Sequence, residues 1–367
     1  MRSTRKALLA PIALAAAACL TTVVYADGDD FAYQQTNLVS DGAVQAMTVD
    51  GHLKNPWGIV AFPGGPFWIS DNGAGVATLY DGKGDIVPLT VTIPPPGGSP
   101  SGTVATPTGV VWNPNGSAFL LGPGLPALFI FATEDGTISA WNATVNRGSA
   151  VLEVDNSQGG NGAVYKGLAL ATNSRGVFLY ATNFRNGTVD VFDSTFKPAM
   201  LSGAFSDPRI PRGYAPFGIA LLDGNLFVSY AMQDAAKHDD VAGQGHGFID
   251  VFDTNGNLIR RFASRGALNS PWGMVHAPLD FGGFSAHLLV GNFGDGHISA
   301  FNSDGDFRGQ LRSTSGSRVT IDGLWGLMFG IGSAANPNTL YFTAGTNHEA
   351  DGLFGTLQAA EPVEHHN

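Results

Sequence analysis

Three asparagines, Asn72, Asn183 and Asn292, each follow an apolar run and stand on or just before a glycine-containing turn. A side-chain amide offers both donors and acceptors. Three amides brought to one place suit a carbohydrate, an anion or a hard metal ion, whereas singly each would bond the local backbone of its turn. Asp71, Asp322 and Glu349, with His348, are the candidate metal ligands, and carboxylate oxygens of this kind favour a divalent cation such as calcium. His348 and Glu349 could also join His238, Asp239, Asp240 and His246 of the segment Met232 to His246. Imidazole plus carboxylate is transition-metal chemistry, but no diagnostic spacing accompanies it, and a Gly- and Asp-rich segment equally suits a solvated loop. Trp57, Trp272 and Trp325 form a third set, with Phe217 and Lys166 at the matching places. Aromatic faces stack on sugar rings or cage a cation, or they fill the space between packed elements.

The elements that position these residues repeat. Six segments share a small or aromatic residue, a glycine and an apolar pair, with glycines at Gly58, Gly109, Gly167, Gly218, Gly273 and Gly326. The intervals are 51, 58, 51, 55 and 53 residues. After each comes an apolar run rich in β-branched and aromatic residues, starting at Phe67, Leu128, Phe178, Leu226, His287 and Leu340. A third run follows with period two, from Val76, Thr137, Thr188, Phe248, His297 and Leu353. Such runs are strands. A tight turn such as Asn255-Gly256 and a fourth short run, from Ile86, Leu258 or Phe307, close the unit. Four antiparallel strands recurring about every 50 residues make a propeller blade. The fold class is therefore all-β, a six-bladed β-propeller spanning 27–359, with a polar tail over 360–367. The last repeat lacks a fourth strand of its own. Gln35 to Ser40 precedes the first blade without a partner and is expected to pair beside Leu353 to Leu357, closing the ring and removing a sheet edge.

In such a blade, the loops after strand two and those between blades share one end of the ring. That end collects Asp71-Asn72, Glu134-Asp135, Asn183, the Met232 to His246 loop, Asn292 and Asn347-His348-Glu349. Longer loops gathered on one face of a repeat array mark a binding face.

The chain has 367 residues, with 19 Lys and Arg against 30 Asp and Glu. This acidic balance disfavours a nucleic-acid partner, whose binding rests on clustered cations. Arg2, Arg5 and Lys6, the apolar run Ala7 to Leu20 and Val24-Tyr25-Ala26 form a secretory signal over 1–26. The run is too short to span a bilayer, so the mature chain carries no transmembrane segment and is expected to be secreted or periplasmic. Cys19, the only cysteine, lies within the signal, and its lipid anchoring is not expected because the usual leucine three residues earlier is absent. No nucleophile elbow, phosphate loop or dinucleotide fingerprint occurs in the mature chain.

Asn55-Pro56-Trp57-Gly58 followed by Trp68-Ile69-Ser70-Asp71-Asn72-Gly73 resembles a family of uncharacterised secreted bacterial proteins. More distantly, the repeat is similar to NHL-type six-bladed propellers. The resemblance covers the mature chain and implies fold and location without an activity. Two functions are compatible with these residues. One is a secreted module that binds a glycan, peptide or protein on the loop-rich face. The other is a metal-dependent hydrolase, lactonase or lyase with an ion at the channel mouth. The second requires Asp71, Asn183, Asn292, Glu349 and Asp322 to converge near the axis.

Overall fold

The computed structural model describes residues 31–159, 162–331 and 335–360. The expected export signal and most of the polar tail lie outside these residues. β1 (Ala32–Ser40) and β2 (Thr48–Val49) precede blade one, which comprises β3 (Pro56–Val60), β4 (Phe67–Asp71), β5 (Val76–Tyr80) and β6 (Val91–Thr92). Blade two is β7 (Pro107–Trp112), β8 (Phe129–Thr133), β9 (Thr137–Trp141) and β10 (Val151–Asp155). Blade three is β11 (Tyr165–Asn173), β12 (Gly176–Asn183) and β13 (Thr188–Phe192). Blade four is β14 (Tyr214–Leu222), β15 (Asn225–Met232), β16 (Phe248–Phe252) and β17 (Leu258–Ser264). Blade five is β18 (Pro271–His276), β19 (Leu288–Asn292), β20 (Ile298–Phe301) and β21 (Phe307–Gln310). Blade six is β22 (Leu324–Phe329), β23 (Leu340–Ala344) and β24 (Leu353–Ala360), completed by β1 and β2. The inner strands touch in cyclic order, β3 to β7, β11, β14, β18, β22 and back to β3. The architecture is the expected six-bladed propeller. No helix among the described residues is long and apolar enough to cross a membrane.

The ring closes as the unpaired first segment requires. Gln35 pairs with Leu357 and Ser40 with Leu353, antiparallel, with one irregularity between Asn37 and Val39. Tyr33 adds an anchor on the neighbouring blade, donating its hydroxyl to the Phe281 carbonyl at 3.1 Å. Two outer strands are reduced. In blade one, Ile86 makes only a single bridge to Tyr80, and paired structure resumes at Val91. Pro88 lies between them and has no N–H to give to a ladder. In blade three, the fourth position is held by a bridge from Phe192 to Pro198 and a hydrogen bond from the Ala199 N–H to the Val191 carbonyl.

The six repeated glycines explain how the inner strands pack. Each inner strand has a register irregularity across its glycine, as between Pro56 and Ile59 or Pro271 and Met274. The glycine faces the backbone of the next blade. A Cβ at Gly218 would stand 2.2 Å from the Trp272 carbonyl oxygen, and one at Gly326 would stand 2.7 Å from that of Trp57. No side chain fits between backbones this close. Hydroxyls on the second strands tie the same joints. The Gly326 N–H donates to Thr343 Oγ1 at 2.9 Å, and that hydroxyl donates to the Trp57 carbonyl at 2.6 Å. Thr182 and Ser229 bridge from Gly167 to the Phe217 carbonyl and from Gly218 to the Pro271 carbonyl in the same way.

Candidate functional site

The residues before five of the six glycines, Trp57, Lys166, Phe217, Trp272 and Trp325, meet at the loop-rich end and form a floor across the channel, while Thr108, in the same place in blade two, bonds the Ala132 and Tyr165 carbonyls instead. Trp57 and Trp325 stack with ring centroids 3.4 Å apart. Trp272 meets both edge-on at 6.0 and 5.7 Å, and Phe217 lies 5.9 Å from Trp325. Phe184 and Phe293 join from the ends of the second strands, Phe293 stacking on Trp325 at 4.0 Å. Trp57, Trp325, Phe184 and Phe217 are buried, while Trp272 and Phe293 are only partly buried. Beyond the floor lies a small cavity of about 140 Å³ ringed by Gly58, Gly109, Gly167, Gly273 and Gly326.

Lys166 occupies the matching place in blade three, so this floor contains one ammonium. Its side chain is only 2% exposed. Nζ lies 5.0 Å from the centre of the Trp57 ring and 5.8 Å from that of Phe184. It donates to Glu134 Oε1 and stands 3.4 Å from Asp239 Oδ1. Burial works against the charge, but Glu134 first and then Asp239 and Asp240 outweigh it, holding the ammonium above the usual lysine value.

Amides extend this pair across the mouth. Asn72 donates from Nδ2 to Glu134 Oε2 at 2.8 Å. Asn55 donates from its own Nδ2 to Asn72 Oδ1 at 3.3 Å and to Glu349 Oε1 at 3.1 Å, and its Oδ1 accepts from Trp325 Nε1 at 3.3 Å. Burial pushes the Glu349 carboxyl upward, the Asn55 bond opposes this, and the charge of Glu134 adds to the rise. Glu349 is delivered by a left-handed turn in which Asn347, His348 and Glu349 all have positive φ, at 55°, 54° and 65°. L-residues rarely adopt that conformation. The turn is held by the Asn347 N–H on Asp322 Oδ2 at 2.8 Å and by Asn347 Nδ2 on Asp351 Oδ2 at 3.0 Å.

The blade-four loop covers the other side. His238 Nδ1 lies 2.8 Å from Asp239 Oδ1. This bond, opposed by partial burial and reinforced by Lys166, brings the Asp239 carboxyl down to about 2, while the same bond raises the imidazole. Ligand atoms of Glu134, His238 and Asp239 all fall within 4.8 Å of one another. Atoms this close could hold a metal ion, but Lys166 already stands against two of the three groups.

No family model matches the chain. An uncharacterised protein of Acanthamoeba polyphaga mimivirus is 34% identical over 328 residues, covering 87% of this chain and 78% of its own length. The chain belongs to this family. A second uncharacterised mimivirus protein is 33% identical over 328 residues, covering 87% of this chain and 84% of the viral one. Among solved structures, a streptogramin B lyase superposes with a TM-score of 0.54 at 15% identity, covering 91% of this chain and all of the lyase. A virginiamycin B lyase from Staphylococcus aureus gives 0.51 at 16% identity, covering 89% and 99%. At these identities the likeness is one of fold.

The strand register separates the three asparagines within this family member. Pro56 pairs with Asp71, Tyr165 with Asn183 and Pro271 with Asn292. The equivalent of Asn183 and Asn292 is thus Asp71, and Asn72 lies one residue further on. One residue along a strand reverses the side-chain direction. Asn72 therefore meets Glu134 at the axis. Asn183 instead donates to Asp190 Oδ2 at 2.9 Å, and its Oδ1 accepts the backbone N–H groups of Val164 and Asn186. Asn292 is closed on Ala267 and Asn269 of its own blade joint. Asp71 is fully buried, accepts from Thr78 Oγ1 at 2.8 Å, and is pushed well above the usual carboxylate range by desolvation. Asp322 and His348 are exposed, Asp322 serving the turn that carries Glu349. Of the residues singled out from sequence, the mouth gathers Asn72, Glu349, the three tryptophans, Lys166, His238 and Asp239. Asn55 and Glu134 complete it. Their signal was positional: Asn55 precedes the first Pro-Trp-Gly, and Glu134 follows the end of the second strand, as Asn72 does.

Proposed function

We propose that this chain is a binding module whose loop-rich face takes a polyhydroxylated ligand, a glycan, at the axial mouth. The supporting observation is the juxtaposition of partly buried Trp272 and Phe293 with the Asn55, Asn72, Glu134, Lys166 and Glu349 network. Sugar rings present apolar faces that lie on aromatic rings, and hydroxyls that both donate and accept. A pre-formed mouth with few convergent polar groups is the usual form of such a site. Export through the 1–26 segment would place the module outside the cytoplasm, where glycans are met.

The second reading, a metal-dependent hydrolase, lactonase or lyase, is favoured by the Glu134, His238 and Asp239 grouping. The lyases of like fold are enzymes, and that bears on this chain only as analogy. Lys166 weighs against it, because a divalent ion on those carboxylates would sit beside a resident ammonium.

Tryptophan fluorescence and calorimetry with a panel of oligosaccharides test the first reading, and elemental analysis of the purified protein tests the second. Binding lost in Trp272→Ala with folding retained supports the glycan site. A stoichiometric transition metal or calcium, removed in Glu134→Gln together with His238→Ala, would replace that reading with the enzymatic one.

A further inference from the structure

Blade three differs from the other five at its outer edge. β13 reads Thr188-Val189-Asp190-Val191-Phe192, and its counterpart β16 in blade four reads Phe248-Ile249-Asp250-Val251-Phe252. In blade four, Ile249 pairs with Ala263 and Asp250 with Arg261 of the outer strand. Arg261 closes on Asp250 through Nε and reaches Asp207 Oδ2 at 2.6 Å. In blade three the chain leaves β13 after one bridge. Gly203 and Phe205 instead donate their N–H groups to the carbonyls of Asn255 and Gly256 in the blade-four turn. Arg175 holds the Met200 carbonyl at 2.8 Å on the way.

The departure leaves a groove of about 550 Å³ bounded by Val189, Val191, Ala199, Met200, Leu201 and Phe205. Met200 is 89% exposed. Because the Val191 carbonyl points away from β12, the alternation of an antiparallel ladder turns the N–H and C=O of Val189 the same way. No described residue bonds them there. Asp190 lies where Asp250 does, with no arginine opposite. Its oxygens accept from Thr188, Asn183 and Tyr165.

We propose that this edge is a docking site for an extended peptide of a partner protein, added antiparallel to β13 as the missing fourth strand. Blade six already takes its outer strand from a distant part of the chain, so an outer strand need not be contiguous with its blade. The peptide class follows from blade four: apolar residues flanking an arginine that falls opposite Asp190. Main-chain hydrogen bonds would supply affinity, and the arginine would supply register and choice of partner. The inference is independent of the mouth.

Because Pro198 and Ala199 already stand against Phe192 and Val191, the probe is a fluorescent peptide Arg-Phe-Ala-Ser, copying the part of β17 that pairs with Phe248 to Asp250, titrated into the full chain with hydrogen exchange read at Val189. Binding should be saturable and should slow exchange of the Val189 amide. Replacing its arginine with glutamate should weaken binding about tenfold or more. N-methylation of a peptide amide on the pairing side should abolish it, and N-methylation of its neighbour should not. Asp190→Asn, which keeps the shape, should also weaken it while circular dichroism stays unchanged. Absence of binding, or binding indifferent to N-methylation and to the arginine, would overturn the proposal. A Val189 amide already protected in the free monomer would assign the edge to the chain itself, and protection that grows with protein concentration would assign it to a second copy.

Discussion

Lys166→Met isolates the energetics of the mouth. Methionine keeps most of the lysine stem's volume, so little cavity forms. What is lost is the ammonium between Glu134, whose side chain is 10% exposed, and Asp239, which is 67% exposed. Removing one member of a buried ion pair costs about 3–5 kcal/mol because its partner stays buried and unpaired. Glu134 keeps its bond from Asn72, and Asp239 is well solvated. The lower end, about 3 kcal/mol, is therefore expected. Glu134→Gln alone leaves Lys166 buried with Asp239 at 3.4 Å and should cost about 2 kcal/mol. In the double variant neither orphan charge remains, so its cost should fall below the sum of the singles by about 2 kcal/mol or more. Equilibrium urea unfolding, followed by tryptophan fluorescence, gives all three values. Lys166→Met within about 0.5 kcal/mol of the wild type, or strictly additive singles, would refute the coupling.

Asp71→Asn should raise the unfolding midpoint at pH 8 and change it little at pH 4. The carboxyl of Asp71 is raised in the folded state by desolvation, so its contribution is present below the ordinary value and lost as pH rises through the folded one. Asparagine already fills the equivalent place in blades three and five. A variant with the wild-type pH profile would show that Asp71 is not the group responsible. Gly273→Val puts a side chain where a Cβ alone would be 2.5 Å from the Trp325 carbonyl oxygen, and should cost about 1–3 kcal/mol in the same unfolding assay. Unchanged stability would mean that the blade joint is looser than its geometry. Deleting 27–41 removes β1 and exposes the whole outer edge of β24, and should yield a chain that self-associates in sedimentation analysis. A stable monomer would show that ring closure does not depend on that strand.

Much of this protein was legible from the chain because a propeller repeats one local pattern six times. Period-two runs mark strands, and a glycine near the start of each inner strand marks where neighbouring backbones touch. The leftover segment Gln35 to Ser40 and the incomplete sixth unit pointed to each other, since a closed ring leaves no edge to cover. The tryptophans could be assigned to the axis because equivalent positions in a ring converge. The strand register was not legible. Apolar runs ending Ser70-Asp71-Asn72 and Ala181-Thr182-Asn183 align equally well by eye, and a shift of one residue reverses which side chain faces the axis. Only the pairing of Pro56 with Asp71 and Tyr165 with Asn183 separates Asn72 from the other two asparagines. The sequence could likewise supply Lys166, Glu134, Asn55 and Glu349 as types, but they stand up to 294 residues apart along the chain. Their convergence depends on loop paths and on a left-handed turn that no local propensity demands. The bare edge of β13 has the same origin. Its last three residues match those of β16, and the following segment crosses to blade four, where Gly203 and Phe205 bond the Asn255 and Gly256 carbonyls, a path that only the folded ring presents.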